Sequence, residues 1–84
     1  MTTIAAKLQH VRARIATACQ QAGRNVQDVT LLAVSKTFGP EAVRDAAEAG
    51  QRSFGENYIQ EAVEKMAIVA EYGLPRPLEW HCIG

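Results

Sequence analysis

The segment Asp28-Val29-Thr30-Leu31-Leu32-Ala33-Val34-Ser35-Lys36 contains an apolar run, residues 31–34, that does not alternate with polar residues. The run is too short for a helix. Such runs are typical of a strand that is buried on both faces, as in a parallel sheet whose two sides are covered. The pattern predicts a strand over residues 29–36.

A helix is predicted before this strand, over residues 3–22. Its apolar residues recur at steps of three and four, which places them on one face of a helix. Thr2 or Thr3 can cap its start and Gly23 can end it. The apolar face consists of Ile4, Leu8, Val11, Ile15, Ala18 and Ala22.

Two shorter helices are predicted after the strand. Pro40 suits the first turn of a helix over residues 40–49, because proline needs no backbone N–H there. A third helix is predicted over residues 58–72. Asn57, with Gln60 three residues later, matches the capping-box pattern at its start.

Two further strands are predicted over residues 53–55 and 78–83. A repeated strand-helix unit favours parallel strands joined by right-handed crossovers. We therefore expect an α/β fold, either an open doubly wound sheet or a (β/α)8 TIM barrel of roughly 250 residues. Residues 1–84 would then be one segment of a truncated sheet or barrel, ending after about three strands. Its open strand edges predict self-association.

Composition narrows the function classes. Nine Lys plus Arg balance nine Asp plus Glu, so the formal net charge of zero provides no field for nucleic acid or anionic membranes. The sequence has neither a long apolar span nor the order of a secretory signal, which predicts a cytoplasmic protein. Cys19 and Cys82 lack zinc-ligand spacing and are expected to be buried thiols.

Lys36 is the most informative candidate site residue. Ligands of parallel α/β proteins collect at the carboxyl ends of the strands. An amine directly after an apolar strand is expected to be partly desolvated, which disfavours the ammonium form and leaves a nucleophile for Schiff-base formation with an aldehyde. The competing interpretation is a structural lysine that extends its charge into solvent.

Asn57 and His81 follow the next two predicted strands and complete the candidate site. Asn57 also fits a helix cap, and His81 also fits a core or interface histidine, with no second ligand nearby for a metal. Glu56 fits either a general acid or base or, more simply, a first-turn carboxylate beside a helix dipole.

Three ordered blocks of the sequence resemble the pyridoxal phosphate homeostasis proteins, the YggS/PROSC family. The blocks are Leu31-Leu32-Ala33-Val34-Ser35-Lys36-Thr37, Ala49-Gly50-Gln51-Arg52-Ser53-Phe54-Gly55-Glu56-Asn57-Tyr58-Ile59-Gln60-Glu61 and Glu79-Trp80-His81-Cys82-Ile83-Gly84. The chain departs from the family pattern at Phe38-Gly39 and at Cys82.

The resemblance implies a barrel like the N-terminal domain of alanine racemase, with pyridoxal 5'-phosphate held as a Schiff base. Lys36 would be the Schiff-base lysine, Asn57 would lie near the cofactor, and His81 would lie on the next strand. The groups that grip the phosphate and the pyridine nitrogen would come from elements outside these 84 residues. The implied role is cofactor homeostasis or delivery to recipient pyridoxal phosphate enzymes, without a catalytic residue or a metal.

Two other functions stay open at this point. A racemase of the same fold needs a second base on the opposite face of the cofactor, and Tyr58 and Tyr72 are interpreted as poorly placed for it. A plain interaction module, without bound cofactor, is the third class.

Overall fold

A computed structural model describes residues 3–84 as three helices and three strands in alternation. The helices are α1 (Ile4–Ala22), α2 (Pro40–Glu48) and α3 (Ile59–Glu71). The strands are β1 (Ala33–Val34), β2 (Ser53–Glu56) and β3 (Glu79–Cys82), and a 3-10 turn, Val26–Asp28, precedes β1.

The three strands form one parallel sheet in the order β1-β2-β3. Ala33 aligns with Phe54 and Trp80, while Val34 aligns with Gly55 and His81. The α/β class and the parallel arrangement expected from the sequence are therefore confirmed.

β1 is much shorter than the strand predicted over 29–36. Upstream, the Leu31 carbonyl accepts a hydrogen bond from the Gln51 side-chain amide at 2.7 Å instead of joining the main-chain ladder. Downstream, the Phe38 N–H donates to the Ser35 carbonyl at 3.0 Å, which closes a turn and ends the extended chain. An apolar run predicts burial, but main-chain pairing decides how long the strand is.

The ends of α1 follow from two residues. The Thr3 hydroxyl oxygen accepts a hydrogen bond from the Ala6 N–H at 3.1 Å. Gly23 adopts the left-handed φ of +69° and its N–H reaches the carbonyls of the last helical turn. These groups satisfy backbone atoms that a helix end otherwise leaves unpaired. The alternative cap, Thr2, lies outside the described residues.

The start of α3 differs from the sequence prediction. Tyr58 occupies the N-cap position without a side-chain hydrogen bond, and Asn57 lies one residue earlier, at the bend that follows β2. The prediction that Asn57 caps α3 is wrong, because β2 runs to Glu56 and the helix begins only at Ile59.

The core lies on one side of the sheet, between the strands and the helices. Phe54 and Val43 are each 1% exposed, and Ala46 and Val69 complete the buried cluster. The Phe54 ring lies 5.5 Å from that of Trp80, in the tilted arrangement that aromatic pairs favour. Burial of these apolar side chains explains why α2 and α3 pack on β2 and β3.

The opposite side of the sheet carries Val34, Gly55 and His81 in one row, which we call the open face. Val34 is 48% exposed. The side chains of Ile83 and Leu32 extend over Gly55, lying 3.0 and 3.5 Å from where a Cβ would stand. A side chain at Gly55 would force the Ile83 side chain to move by a few tenths of an ångström, so glycine permits the close approach seen here.

Several apolar side chains are exposed. Ile59 and Val63 of α3 are 70% and 58% exposed, whereas Val69 of the same helix is buried. Cys19 is buried as expected, whereas Cys82 is exposed, so the expectation of a buried thiol is wrong there. Within residues 3–84, no helix is both long and apolar enough to cross a bilayer.

We predict that Phe54→Ala lowers the free energy of unfolding by about 3–5 kcal/mol, because it empties the centre of the core. Urea denaturation followed by circular dichroism measures the change. Phe38→Ala is the matched control, since Phe38 is 55% exposed, and it should change stability by less than about 0.5 kcal/mol. Equal losses in the two variants would contradict the assigned core.

Candidate functional site

Lys36 lies just beyond the carboxyl end of β1, in the turn from Ser35 to Phe38. Its side chain is exposed, which corrects the expectation of partial desolvation: the turn carries the side chain past the apolar end of the sheet. Within residues 3–84 no hydrogen bond or ion pair engages its amine. The amine is therefore available to a ligand.

Asn57 lies at the corresponding point after β2 and is half-buried. Among the hydrogen bonds of the described chain, none involves its carboxamide, so both a donor and an acceptor are available there. Lys36 and Asn57 thus lie at the same edge of the parallel sheet, after neighbouring strands.

His81 lies within β3, on the open face and level with Gly55. Because it aligns two residues below the level of Asn57, it is about 7 Å deeper along the strand direction. Its ring nitrogen Nε2 is 3.8 Å from the Glu79 carboxylate, and its side chain is 48% exposed. The structure therefore places two candidates at the rim and the third on the neighbouring open face, and no hydrogen bond within residues 3–84 joins them.

A buried polar cluster that the sequence analysis missed lies directly behind the rim. Ser35, Glu56 and Lys65 are 5%, 3% and 7% exposed. The Lys65 ammonium donates to Glu56 Oε2 at 2.8 Å and to the Ser35 carbonyl at 2.8 Å. The Ser35 hydroxyl donates to the same carboxylate oxygen. We call these three residues the rim cluster.

Glu56 is therefore a strand residue and not a first-turn carboxylate. Strand alternation places it on the same side as Phe54, facing the helices. The sequence held a signal for its partner: Lys65 lies between Ala62 and Val69 at helical spacing, on the buried face of α3. A lysine at such a position needs a buried acceptor, because a buried unpaired charge is costly.

A groove of about 310 Å³ lies between α1, α2 and β1. Leu8, Val11, Phe38 and Val43 are among its mainly apolar lining residues, whereas Lys36, Asn57 and His81 do not line it. The groove lies on the helix side of β1, and the candidate residues lie at the strand ends and on the open face. Within the described residues, no group of three or more His, Cys, Asp or Glu side chains could hold a metal.

These features define the chain as a parallel α/β segment with an available lysine at the carboxyl edge of its sheet. No protein-family model matches it. Curated pyridoxal phosphate homeostasis proteins from Pseudomonas aeruginosa and Vibrio cholerae are 54% and 49% identical over all 84 residues. The relative from Escherichia coli K12 is also 49% identical. The chain spans about a third of the length of these relatives, 35–36%.

A solved structure shows the same likeness. PipY of Synechococcus elongatus PCC 7942, without PLP, matches with a TM-score of 0.63 and 40% identity over 83% of this chain and 31% of PipY. The structure of PipY with PLP bound matches with the same TM-score and 37% identity. Over all 84 residues the chain is therefore similar to about one third of the length of the pyridoxal phosphate homeostasis proteins.

We predict that Lys65→Met destabilises the chain by about 3–5 kcal/mol, because it leaves the Glu56 carboxylate buried without its partner. The double variant Glu56→Gln with Lys65→Met should recover most of this loss, since neither charge then remains. Denaturation in urea measures both.

Glu48→Gln is the control for that comparison. Its carboxylate pairs with Arg44 at 3.9 Å but is 63% exposed, so the change should stay below about 0.5 kcal/mol. A Lys65→Met variant as stable as the unaltered chain would show that the buried pair is not formed in solution.

Proposed function

We propose that the full gene product binds pyridoxal 5'-phosphate covalently through Lys36 and takes part in cytoplasmic storage or delivery of that cofactor. The observation that carries the proposal is the exposed amine of Lys36 at the carboxyl edge of the sheet, which has no hydrogen-bond or ion-pair partner among residues 3–84. The structure of PipY with PLP bound, at 37% identity, supports it. Recipient enzymes that depend on this cofactor are the proposed partners.

The residues of the rim fit such a cofactor. Pyridoxal phosphate carries an aldehyde and ring substituents that accept hydrogen bonds, and it needs one primary amine and polar groups beside it. Lys36 provides the amine and Asn57 provides the carboxamide, both without partners in residues 3–84. His81 on the open face is the third proposed contact.

We further propose that the segment forms part of a (β/α)8 barrel of the alanine racemase N-terminal type. Three parallel strands in sequential order, each followed or preceded by a helix on one side, support this. In such a barrel the open face would point to the interior. His81 would then line the barrel interior just below the rim.

Covalent capture of the cofactor requires few protein groups. When bound, the cofactor supplies an aldehyde carbon, to which an uncharged amine adds with loss of one water to give a C=N link. Lys36 must first release a proton, and its exposed position lets solvent accept that proton. Another amine could add to the same carbon and displace the Lys36 amine, which leaves with a proton from the incoming amine, so a carrier can release its cargo without a further catalytic group.

The labelling site tests the proposal. We predict that the full gene product turns yellow with pyridoxal phosphate and that borohydride reduction fixes the adduct on Lys36, as mapped by mass spectrometry. Lys36→Ala should abolish the adduct because the amine is lost. Lys7→Ala, which removes another exposed lysine, should leave labelling unchanged. A reduced adduct at another residue, or undiminished labelling of Lys36→Ala, would refute the assignment.

A racemase of the same fold is the alternative, and one observation favours it. Tyr58 lies at the start of α3, directly after Asn57, and is 64% exposed. It therefore lies at the rim, contrary to the interpretation from the sequence, whereas Tyr72 lies at the far end of α3 and contacts Arg44.

Exchange of the α-hydrogen of amino acids with deuterium oxide separates the two functions. For a carrier we expect no exchange above that of free cofactor, measured by mass spectrometry for several amino acids. Exchange or racemisation that disappears in Tyr58→Phe would establish the enzyme instead.

A further inference from the structure

The backbone position of Lys36 depends on the Ser35 carbonyl, which accepts a hydrogen bond from Lys65 of α3. Ser35, Lys36, Thr37 and Phe38 form a turn closed by the hydrogen bond from the Phe38 N–H to the Ser35 carbonyl, 3.0 Å. The same carbonyl accepts from the Lys65 ammonium at 2.8 Å. Lys36 is the second residue of this turn, so the atom that anchors its backbone is fixed by a charged group of another element.

The main-chain ladder stops short of the rim. The register between β1 and β2 ends where Val34 meets Gly55, and the Ser35 N–H makes the last main-chain bond, to the Gly55 carbonyl at 2.9 Å. Beyond that point, the links between the two strand ends in residues 3–84 are made by side chains. Glu56 and Lys65 bond Ser35, and the Ser35 hydroxyl also lies 3.4 Å from the Gly55 carbonyl. Side-chain hydrogen bonds therefore connect the strand ends beyond the point where main-chain pairing stops.

The same cluster also holds the second candidate residue. Glu56 directly precedes Asn57, and its carboxylate is fixed by both Ser35 and Lys65. Its carbonyl accepts from the Ile83 N–H at 2.9 Å, which ties in the end of β3. One buried cluster thus connects the residue before Lys36 to the residue before Asn57.

The hydrogen bonds of the rim cluster favour a rigid arrangement of its three residues. Hydrogen bonds between an ammonium and a carboxylate are shorter and stronger than neutral ones. No buried side-chain nitrogen or oxygen of the described chain lacks a partner. Since all three residues are buried, solvent compensates poorly for a lost member, and any change should reach both rim residues.

We propose that Lys65 is a positioning residue for the cofactor amine: held by Glu56, it anchors the Ser35 turn so that Lys36 and Asn57 present their side chains at a fixed spacing. This inference rests on the proposed binding of pyridoxal phosphate. Lys65 itself is buried and does not touch the ligand.

Two neutral double variants of the full gene product form the matched test. Glu56→Gln with Lys65→Met, called the Met variant, removes both charges and the hydrogen bond to the Ser35 carbonyl. Glu56→Gln with Lys65→Gln, called the Gln variant, removes both charges but retains a donor for that carbonyl. Ser35→Ala, a third variant, keeps the ion pair and removes only the hydroxyl link.

Three measurements are made on each protein. They are the dissociation constant for pyridoxal phosphate, the circular dichroism of the cofactor band per bound cofactor, and NMR order parameters of the backbone amides without cofactor. In the Met variant we expect affinity to fall about 10-fold or more, because misplacement of the amine weakens capture. The cofactor dichroism should fall with it.

The cofactor-free measurement separates positioning from general destabilisation. In the Met variant the Lys36 and Asn57 amides should move from the rigid range, about 0.85, toward the flexible range, about 0.6, while those of Phe54 and Val69 stay rigid. The Gln variant should recover affinity, dichroism and order in part. Ser35→Ala should show a smaller loss of the same kind.

The outcomes divide the two proposals. Wild-type affinity, dichroism and rim order in the Met variant, or in the Gln variant if the Met variant does not fold, would overturn the positioning role while leaving cofactor binding intact. An unaltered protein that takes up no pyridoxal phosphate would refute the proposed function. The order parameters would then still decide whether Lys65 fixes the turn.

Discussion

The ion pair between Lys65 and Glu56, together with the Ser35 hydroxyl, is the interaction on which the carboxyl edge of the sheet depends. It lies where the main-chain pairing of a two-residue strand has ended and where turns begin. A buried ion pair adds little net stability by itself, because desolvation offsets the attraction between the charges. Its contribution here is geometric: three elements, β1, β2 and α3, meet at one carboxylate oxygen and one carbonyl.

The two sides of the sheet carry different groups of residues. Phe54 and Trp80 face the helices and form the core, while Val34 and His81 lie on the open face. The rim cluster belongs to the helix side, and the candidate ligand contacts belong to the rim and the open face. The core and the candidate ligand contact His81 therefore lie on opposite sides of the sheet, and the rim cluster lies next to Lys36 and Asn57 at the strand ends.

Local sequence patterns predicted the parts of this structure that depend on local interactions. Thr3 and Gly23 bound α1 because capping needs only neighbouring residues. The apolar run around Ala33 predicted a strand in a parallel sheet. Its length was wrong because Gln51, a residue 20 positions away, takes the Leu31 carbonyl.

The difference between local and long-range interactions also explains the wrong predictions at the candidate site. Asn57 fits the capping-box pattern, but β2 extends to Glu56 and shifts the helix start. The pairing of Glu56 with Lys65 joins a strand end to a helix interior, and no local pattern contains both. Lys36 was placed at the correct edge of the sheet, but its exposure depends on a turn that the apolar run does not reveal.

Gly55 leaves room for side chains from the neighbouring strand ends. Ile83 and Leu32 lie 3.0 and 3.5 Å from where a Cβ would stand. A methyl group there would require the Ile83 side chain to move by a few tenths of an ångström, at the residue whose N–H bonds the Glu56 carbonyl. The packing behind Asn57 is thus encoded partly in a residue that has no side chain.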